Sequence, residues 1–183
     1  MAKRAVIIHA WGENPTSCWY PRLKQELEQR GIEVRVPAMP ETDAPKIESW
    51  LATLREILPN PDQDTILIGH SIGCQTILRY LAELPAGQTV GQAIFVAPWT
   101  HLTGLSPASQ EIAKPWLGTP LDWTAARARC PKFTALFSDD DEWVPVSEEQ
   151  IFQERLNAQT KLLHKMGHFD AITELPQVLE LLP

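Results

Sequence analysis

Four short runs of almost unbroken apolar residues punctuate the chain: Ala5-Val6-Ile7-Ile8, Thr65-Ile66-Leu67-Ile68, Ala93-Ile94-Phe95-Val96-Ala97 and Phe133-Thr134-Ala135-Leu136-Phe137. Half-exposed antiparallel strands alternate apolar and polar positions, whereas strands apolar on both faces belong to parallel sheets covered by helices on either side. The four runs therefore predict the buried strands of such a sheet. Glu33-Val34-Arg35-Val36 and Thr160-Lys161-Leu162-Leu163 carry charge within the run and predict its two edges.

Helical spacing fills the intervals. Pro21 can open a helix whose apolar face is Trp19, Leu23 and Leu27, and Gly31 stands where a left-handed cap would close it. Ile47, Trp50, Leu51, Leu54 and Leu58 recur at helical spacing, as do Ile77, Tyr80, Leu81 and Leu84, and later Ile172, Leu175, Val178, Leu179 and Leu182. Strand and helix in regular alternation predict right-handed βαβ units in one α/β domain of six strands. Residues 98–131 break this rhythm, holding five prolines together with Trp99, Trp116 and Trp123. The segment is either an inserted lid or a surface excursion with its own aromatic cluster.

Composition narrows the class. With 183 residues, 44% hydrophobic and 21% charged, the chain can bury roughly 70% of its unfolded surface and needs no metal or disulfide staple. Sixteen Lys and Arg against twenty-three Asp and Glu give a net charge of -7, without a basic patch. That balance excludes a phosphate-backbone partner, so no nucleic acid, and equally an anionic membrane surface. Three cysteines, Cys18, Cys74 and Cys130, lack metal-ligand spacing and fit reduced thiols. No apolar run approaches the ~20 residues of a membrane span. A cytoplasmic protein without metal or cofactor is expected.

The candidate chemistry begins directly after the third strand, at Gly69-His70-Ser71-Ile72-Gly73, followed by the helical run from Cys74 to Leu81. A serine at a strand-to-helix turn sits in a tight bend that demands small neighbours, and its hydroxyl is thrust out above the sheet. The helix behind it offers unpaired N–H groups, Ile72 first, and a positive dipole end to a developing oxyanion. Serine needs a hydrogen-bonded base, and the base a carboxylate to fix its tautomer. Of five histidines, His9 ends the first strand and His70 is aimed away inside the elbow, so both read as structural; His101 begins the 98–131 segment. His164 belongs to the last strand or its end, whereas His168, in Met166-Gly167-His168-Phe169, lies in a loop on the Ser71 face and can reach it. The acid should come from Ser138-Asp139-Asp140-Asp141-Glu142-Trp143-Val144-Pro145, where most carboxylates read as a solvated turn and only one can hold the imidazole.

The elbow, a distal Asp-x-x-Val-Pro and a terminal Gly-His-Phe resemble the α/β-hydrolase superfamily. Trp50-Leu51, Ile68-Gly69-His70-Ser71 and Gly167-His168-Phe169 are similar, more narrowly, to the small serine hydrolases related to retinoblastoma-binding protein 9. The resemblance spans essentially the whole chain. It implies a three-layer α/β/α sandwich on six parallel strands in the order 2-1-3-4-5-6, which puts the two charged strands at the edges independently of their composition. It further implies Asp141 as the acid and the Trp11 amide as an oxyanion donor beside Ile72. Where many relatives have His-Gly after the first strand, this chain has His9-Ala10-Trp11-Gly12.

The expected function is hydrolysis of a carboxylic ester or thioester through an acyl-enzyme. Trp11, Trp99 and Trp143 fall at the catalytic ends of strands, and Trp116 or Trp123 could fold over them, so an apolar, aromatic acyl pocket is expected, with core packing as the plain alternative for some. Two other classes compete. One is a binding or regulatory protein on a hydrolase fold; an intact Ser-His-Asp set argues against it. The other is a flavodoxin-like nucleotide binder, against which the loop after the first strand has one glycine and an acid, Glu13, where phosphate would sit.

Overall fold

A computed structural model describes residues 3–182. In chain order it contains β1 (Arg4–Ile8), α1 (Tyr20–Gln29), β2 (Glu33–Arg35), α2 (Ile47–Ile57), β3 (Thr65–His70), α3 (Ile72–Glu83) and β4 (Gln92–Val96). After these come α4 (Pro107–Gly118), α5 (Trp123–Arg129), β5 (Phe133–Ser138), α6 (Glu148–Leu156), β6 (Gln159–Leu163) and α7 (Pro176–Leu179). The six strands form one sheet in the order β2-β1-β3-β4-β5-β6, every neighbouring pair parallel. Every residue of β3, β4 and β5 is buried, whereas β2 exposes Glu33 and Arg35, β6 has no fully buried residue, and both lie at the edges.

The chain winds in two directions from the middle of the sheet. The β1-to-β2 connection runs one way and all later ones the other, so right-handed crossovers put α1 on one face and α2, α3, α5 and α6 on the opposite face. Packing agrees: α1 meets α7, while α2, α3, α5 and α6 touch in succession. At this reversal the loops after β1 and β3 part company, and the crevice between them, at the carboxyl ends of the strands, is where such folds bind ligands.

Local chemistry accounts for the element ends. Pro21 stands in the first turn of α1, and Gly31, at φ +77°, closes it: the Gly31 N–H bonds Glu28 O at 2.9 Å and the Ile32 N–H bonds Leu27 O at 3.1 Å. This pairing satisfies two orphan carbonyls and needs a left-handed residue between them. Ser106 and Asp122 cap α4 and α5 by accepting from the Ser109 and Ala125 amides.

One expectation requires correction. The final helix was expected to extend over Ile172 to Leu182, but α7 holds only Pro176–Leu179, because proline keeps Leu175 out of the helical region, at φ -139° and ψ 72°, and lacks the N–H that an earlier turn would need. Residues 98–131 are largely helical: α5 is the ordinary crossover helix between β4 and β5, and α4 is the extra element. Arg79 of α3 anchors the end of α4, donating to the carbonyls of Trp116, Thr119 and Pro120 at 3.2, 2.8 and 3.2 Å. A buried guanidinium there satisfies the unpaired carbonyls of a helix C-terminus and matches its negative dipole end. Among the described residues, no helix is long and apolar enough to cross a membrane.

Candidate active site

Ser71 occupies the turn between β3 and α3 at φ +52°, ψ -115°, a conformation costly for any residue with a side chain. Both glycines of the motif are required by close backbone approach. A Cβ on Gly73 would come within 2.3 Å of Ile8 O, and one on Gly69 within 2.8 Å of Cys74 N. The bend is pinned by the Ser71 N–H to Val96 O at 2.8 Å. Ile72 is the first residue of α3, so its N–H has no acceptor within the helix.

The histidine and the acid arrive on the loops after β6 and β5. His168 Nδ1 lies 2.8 Å from Asp141 Oδ2, and the Asp141 side chain is 1% exposed. Its other oxygen, Oδ1, accepts from the Trp143 and Val144 amides at 2.9 and 3.0 Å, so the carboxylate is held in one orientation. A carboxylate accepts, which places the proton on Nδ1 and leaves Nε2 free to take another. Trp143 stacks edge-on against the imidazole, centroids 4.9 Å apart.

Asp139 and Asp140 are not the merely solvated turn expected of them. Asp139 accepts from the Lys165 amide and pairs with His164, Nδ1 to Oδ2 at 2.5 Å; Asp140 accepts from Ser138 Oγ and from the Gly167 amide at 2.8 Å. These bonds hold both carboxyls below their ordinary range: for Asp139 the Lys165 amide is the larger cause, for Asp140 the Ser138 hydroxyl. They fasten a loop with three left-handed residues, Lys165, Gly167 and Phe169. His164 is exposed, and its imidazole is raised above 6.5 chiefly by its hydrogen bond to Asp139.

Ser71, His168, Trp11 and Trp143 line one cavity of about 510 Å³, together with Leu102 and Leu105. Trp99 lies beneath it, fully buried, and its Nε1–H donates to Ser71 Oγ at 3.2 Å. Trp116 and Trp123, expected to fold over the pocket, lie elsewhere. Trp116 is buried, donates to Pro45 O at 2.9 Å and packs on Trp50, while Trp123 packs edge-on to Phe152 of α6. Both belong to helices whose apolar side faces the core.

Three groups beside the site carried no sequence signal as a set. Glu13 lines the cavity and contacts Tyr20 and His70; Tyr20 Oη is 2.6 Å from His70 Nδ1. Burial would raise the Glu13 carboxyl, but hydrogen bonds from His70, Cys18 and Tyr20, together with the charge of His70, outweigh it and lower it to about 2. Glu148, buried at the start of α6, accepts from the Thr100 and His101 amides and fixes the chain just past Trp99. Glu13 was legible only as an acid where a phosphate would not sit, and nothing in the spacing marks Tyr20 or Glu148.

A parallel sheet in this order with serine at a strained elbow defines an α/β hydrolase. The chain belongs to the serine hydrolase family, whose model matches residues 5–182. It is 28% identical to YdeN of Bacillus subtilis (strain 168), named as a hydrolase, over 100% of this chain and 95% of that one. With the serine hydrolase RBBP9 of Rattus norvegicus it shares 31% over 91% of this chain and 87% of that one. The crystal structure of YdeN superposes with a TM-score of 0.89 at 27% identity, covering 98% and 96% of the two chains.

Proposed function

We propose that this hydrolase cleaves a carboxylic ester or thioester through an acyl-enzyme, with Ser71 as nucleophile, His168 as general base and acid, and Asp141 as the group that orients His168. The observation carrying this reading is the buried Asp141 carboxylate, bonded to His168 Nδ1 at 2.8 Å and locked by two amides, with the imidazole and Ser71 on one cavity. His168 Nε2 takes the proton as Ser71 Oγ attacks the acyl carbon, then returns it to the leaving oxygen or sulfur as that bond breaks. Water repeats the sequence, releasing the acid and restoring Ser71.

The oxyanion is held by the amides of Ile72 and Trp11. In the loop after β1 the Ala10 N–H is taken by Glu13 and Tyr20, and the Gly12 N–H by Thr42 O, which favours Trp11 between them. The chemistry requires neither metal nor cofactor. Leu102, Leu105, Trp11 and Trp143 suit an apolar acyl group, and residues 98–131 serve as the cover on that side. Trp99 acts on Ser71 rather than on substrate. Three unpaired cysteines support a cytoplasmic setting.

A fluorophosphonate should label Ser71 alone, read by peptide mass, and Ser71→Ala should lose labelling and at least about 10⁴-fold in kcat on 4-nitrophenyl esters. Label on another serine, or turnover surviving Ser71→Ala, overturns the assignment. A series of acyl chain lengths then sizes the pocket.

A further inference from the structure

Two loops must be held in register for this chemistry: the one after β1, which offers an oxyanion donor, and the one after β6, which carries His168. They belong to strands separated in the sheet by β3, β4 and β5, and no backbone ladder joins them. A polar array does, buried at Tyr20 and His70 and half-buried at Glu13 and Cys18. Its hub is Glu13, whose Oε2 accepts from the Ala10 amide at 3.2 Å and meets Tyr20 Oη, and whose Oε1 accepts from Cys18 Sγ.

From the hub the array reaches the histidine loop through Tyr20 and His70, while Cys18, whose single thiol proton goes to Glu13, only packs beside that loop. Cys18 Sγ lies 3.0 Å from Asp170 O, and Tyr20 Oη lies 2.6 Å from His70 Nδ1, whose other nitrogen, Nε2, lies 2.7 Å from His168 O. A carbonyl only accepts, so Nε2 carries a proton and donates it. The peptide so gripped joins His168 to Phe169, where the chain turns left-handed at φ +62°. That conformation is rare for a bulky residue and persists only when its surroundings hold it. Tyr20 Oη also accepts from the Ala10 amide at 3.1 Å, so one hydroxyl ties the β1 loop to the ring that fixes the histidine peptide. His9 grips the same loop from outside this array: its ring nitrogens meet Met39 N at 3.0 Å and Ala10 O at 2.8 Å, the carbonyl of the Ala10–Trp11 peptide.

The geometry points to Tyr20 and His70 as positioning residues that, with Glu13, set the His168 ring and the Ala10–Trp11 oxyanion loop relative to each other. This rests on the acyl-enzyme reading above. Neither residue is placed in contact with substrate: His70 and Tyr20 are fully buried, and their effect passes through the His168 carbonyl and the Ala10 amide. Misplacing a base by a fraction of an ångström acts on the transition state more than on substrate binding, so the loss should fall on kcat.

The test compares Tyr20→Phe, His70→Asn and His70→Gln with the wild-type chain on 4-nitrophenyl butyrate, rates being expressed per site labelled to completion by a fluorophosphonate. Tyr20→Phe keeps the ring's packing and removes the hydroxyl. Asparagine is too short to reach His168 O, whereas glutamine places an amide N–H near the Nε2 position. Tyr20→Phe and His70→Asn should each lower kcat by about 10- to 100-fold with KM changed less than about threefold, and His70→Gln should recover most of the loss. Should kcat per labelled site stay within about twofold of wild type in Tyr20→Phe, the array is structural only and the inference falls, whatever happens to the melting temperature. Ser71→Ala and His168→Ala run alongside: if either retains turnover, the acyl-enzyme reading itself has failed, a different result from an intact triad indifferent to Tyr20.

Discussion

The elbow around Ser71 and the acid–histidine loops around Asp141 and His168 face the same cavity but are held by opposite means. At the elbow, backbone packs on backbone, Gly73 against Ile8 and Gly69 against Cys74, and the shape is imposed by what cannot fit. At the second region the shape is imposed by what is bonded. Asp139, Asp140 and Ser138 at the end of β5 take the amides of Lys165, Gly167 and Met166, so each polar residue fastens a different peptide of the loop after β6. Steric walls are local and nearly all-or-none; a set of hydrogen bonds is distributed and degrades by steps. The two regions should therefore fail differently under mutation.

The largest effect is expected at Asp141. Asp141→Asn should cost roughly 10⁴-fold in kcat, because an amide can donate to Nδ1 and hold the ring in the wrong tautomer. Steady-state kinetics check it, and a loss below about tenfold would separate Asp141 from the chemistry. Gly73→Ala comes next and tests the steric region: with Ile8 O only 2.3 Å from the new Cβ, backbone must shift, and stability should drop by about 3 kcal/mol in urea titration. A stable, active Gly73→Ala chain would show that the elbow yields.

Asp140→Asn should be intermediate, about tenfold in kcat, since the Gly167 amide loses a charged acceptor one residue before His168. The same assay detects it, and an unchanged kcat would mean that the remaining bonds suffice. His164→Ala should be smallest, with kcat within about twofold, because its ring points to solvent. Its signature lies in pH. His164 titrates above 6.5, so its contribution is full below that pH and is lost as pH rises through the raised value. Asp139 titrates below 3.8, so its contribution is present above that pH and is lost as acid protonates it. The melting temperature of His164→Ala should thus fall below wild type by no more than about 2 °C between these limits and match it in alkali, as differential scanning across pH would reveal.

The chain's own pattern determined the sheet. Runs apolar on both faces became β1, β3, β4 and β5, charged runs became the edges, and Gly-x-Ser-x-Gly after a strand became a strained turn, because each depends on residues adjacent in sequence. Hydrophobic spacing alone overstated the last helix, where Pro176 overrides it, and could not distinguish Trp99, bonded to Ser71 Oγ, from Trp116 and Trp123, which pack in the interior. The family resemblance already implied Asp141 as the partner of His168, although spacing alone left the run of aspartates open; only the tertiary structure decided how the other two are used, and that Glu13, Tyr20 and His70 form one array. The physical reason is range. A side chain's partner across the fold is set by the direction of its bond vectors after the sheet has assembled, and three adjacent aspartates that are equivalent as letters point to three different places once the β5 and β6 loops are side by side.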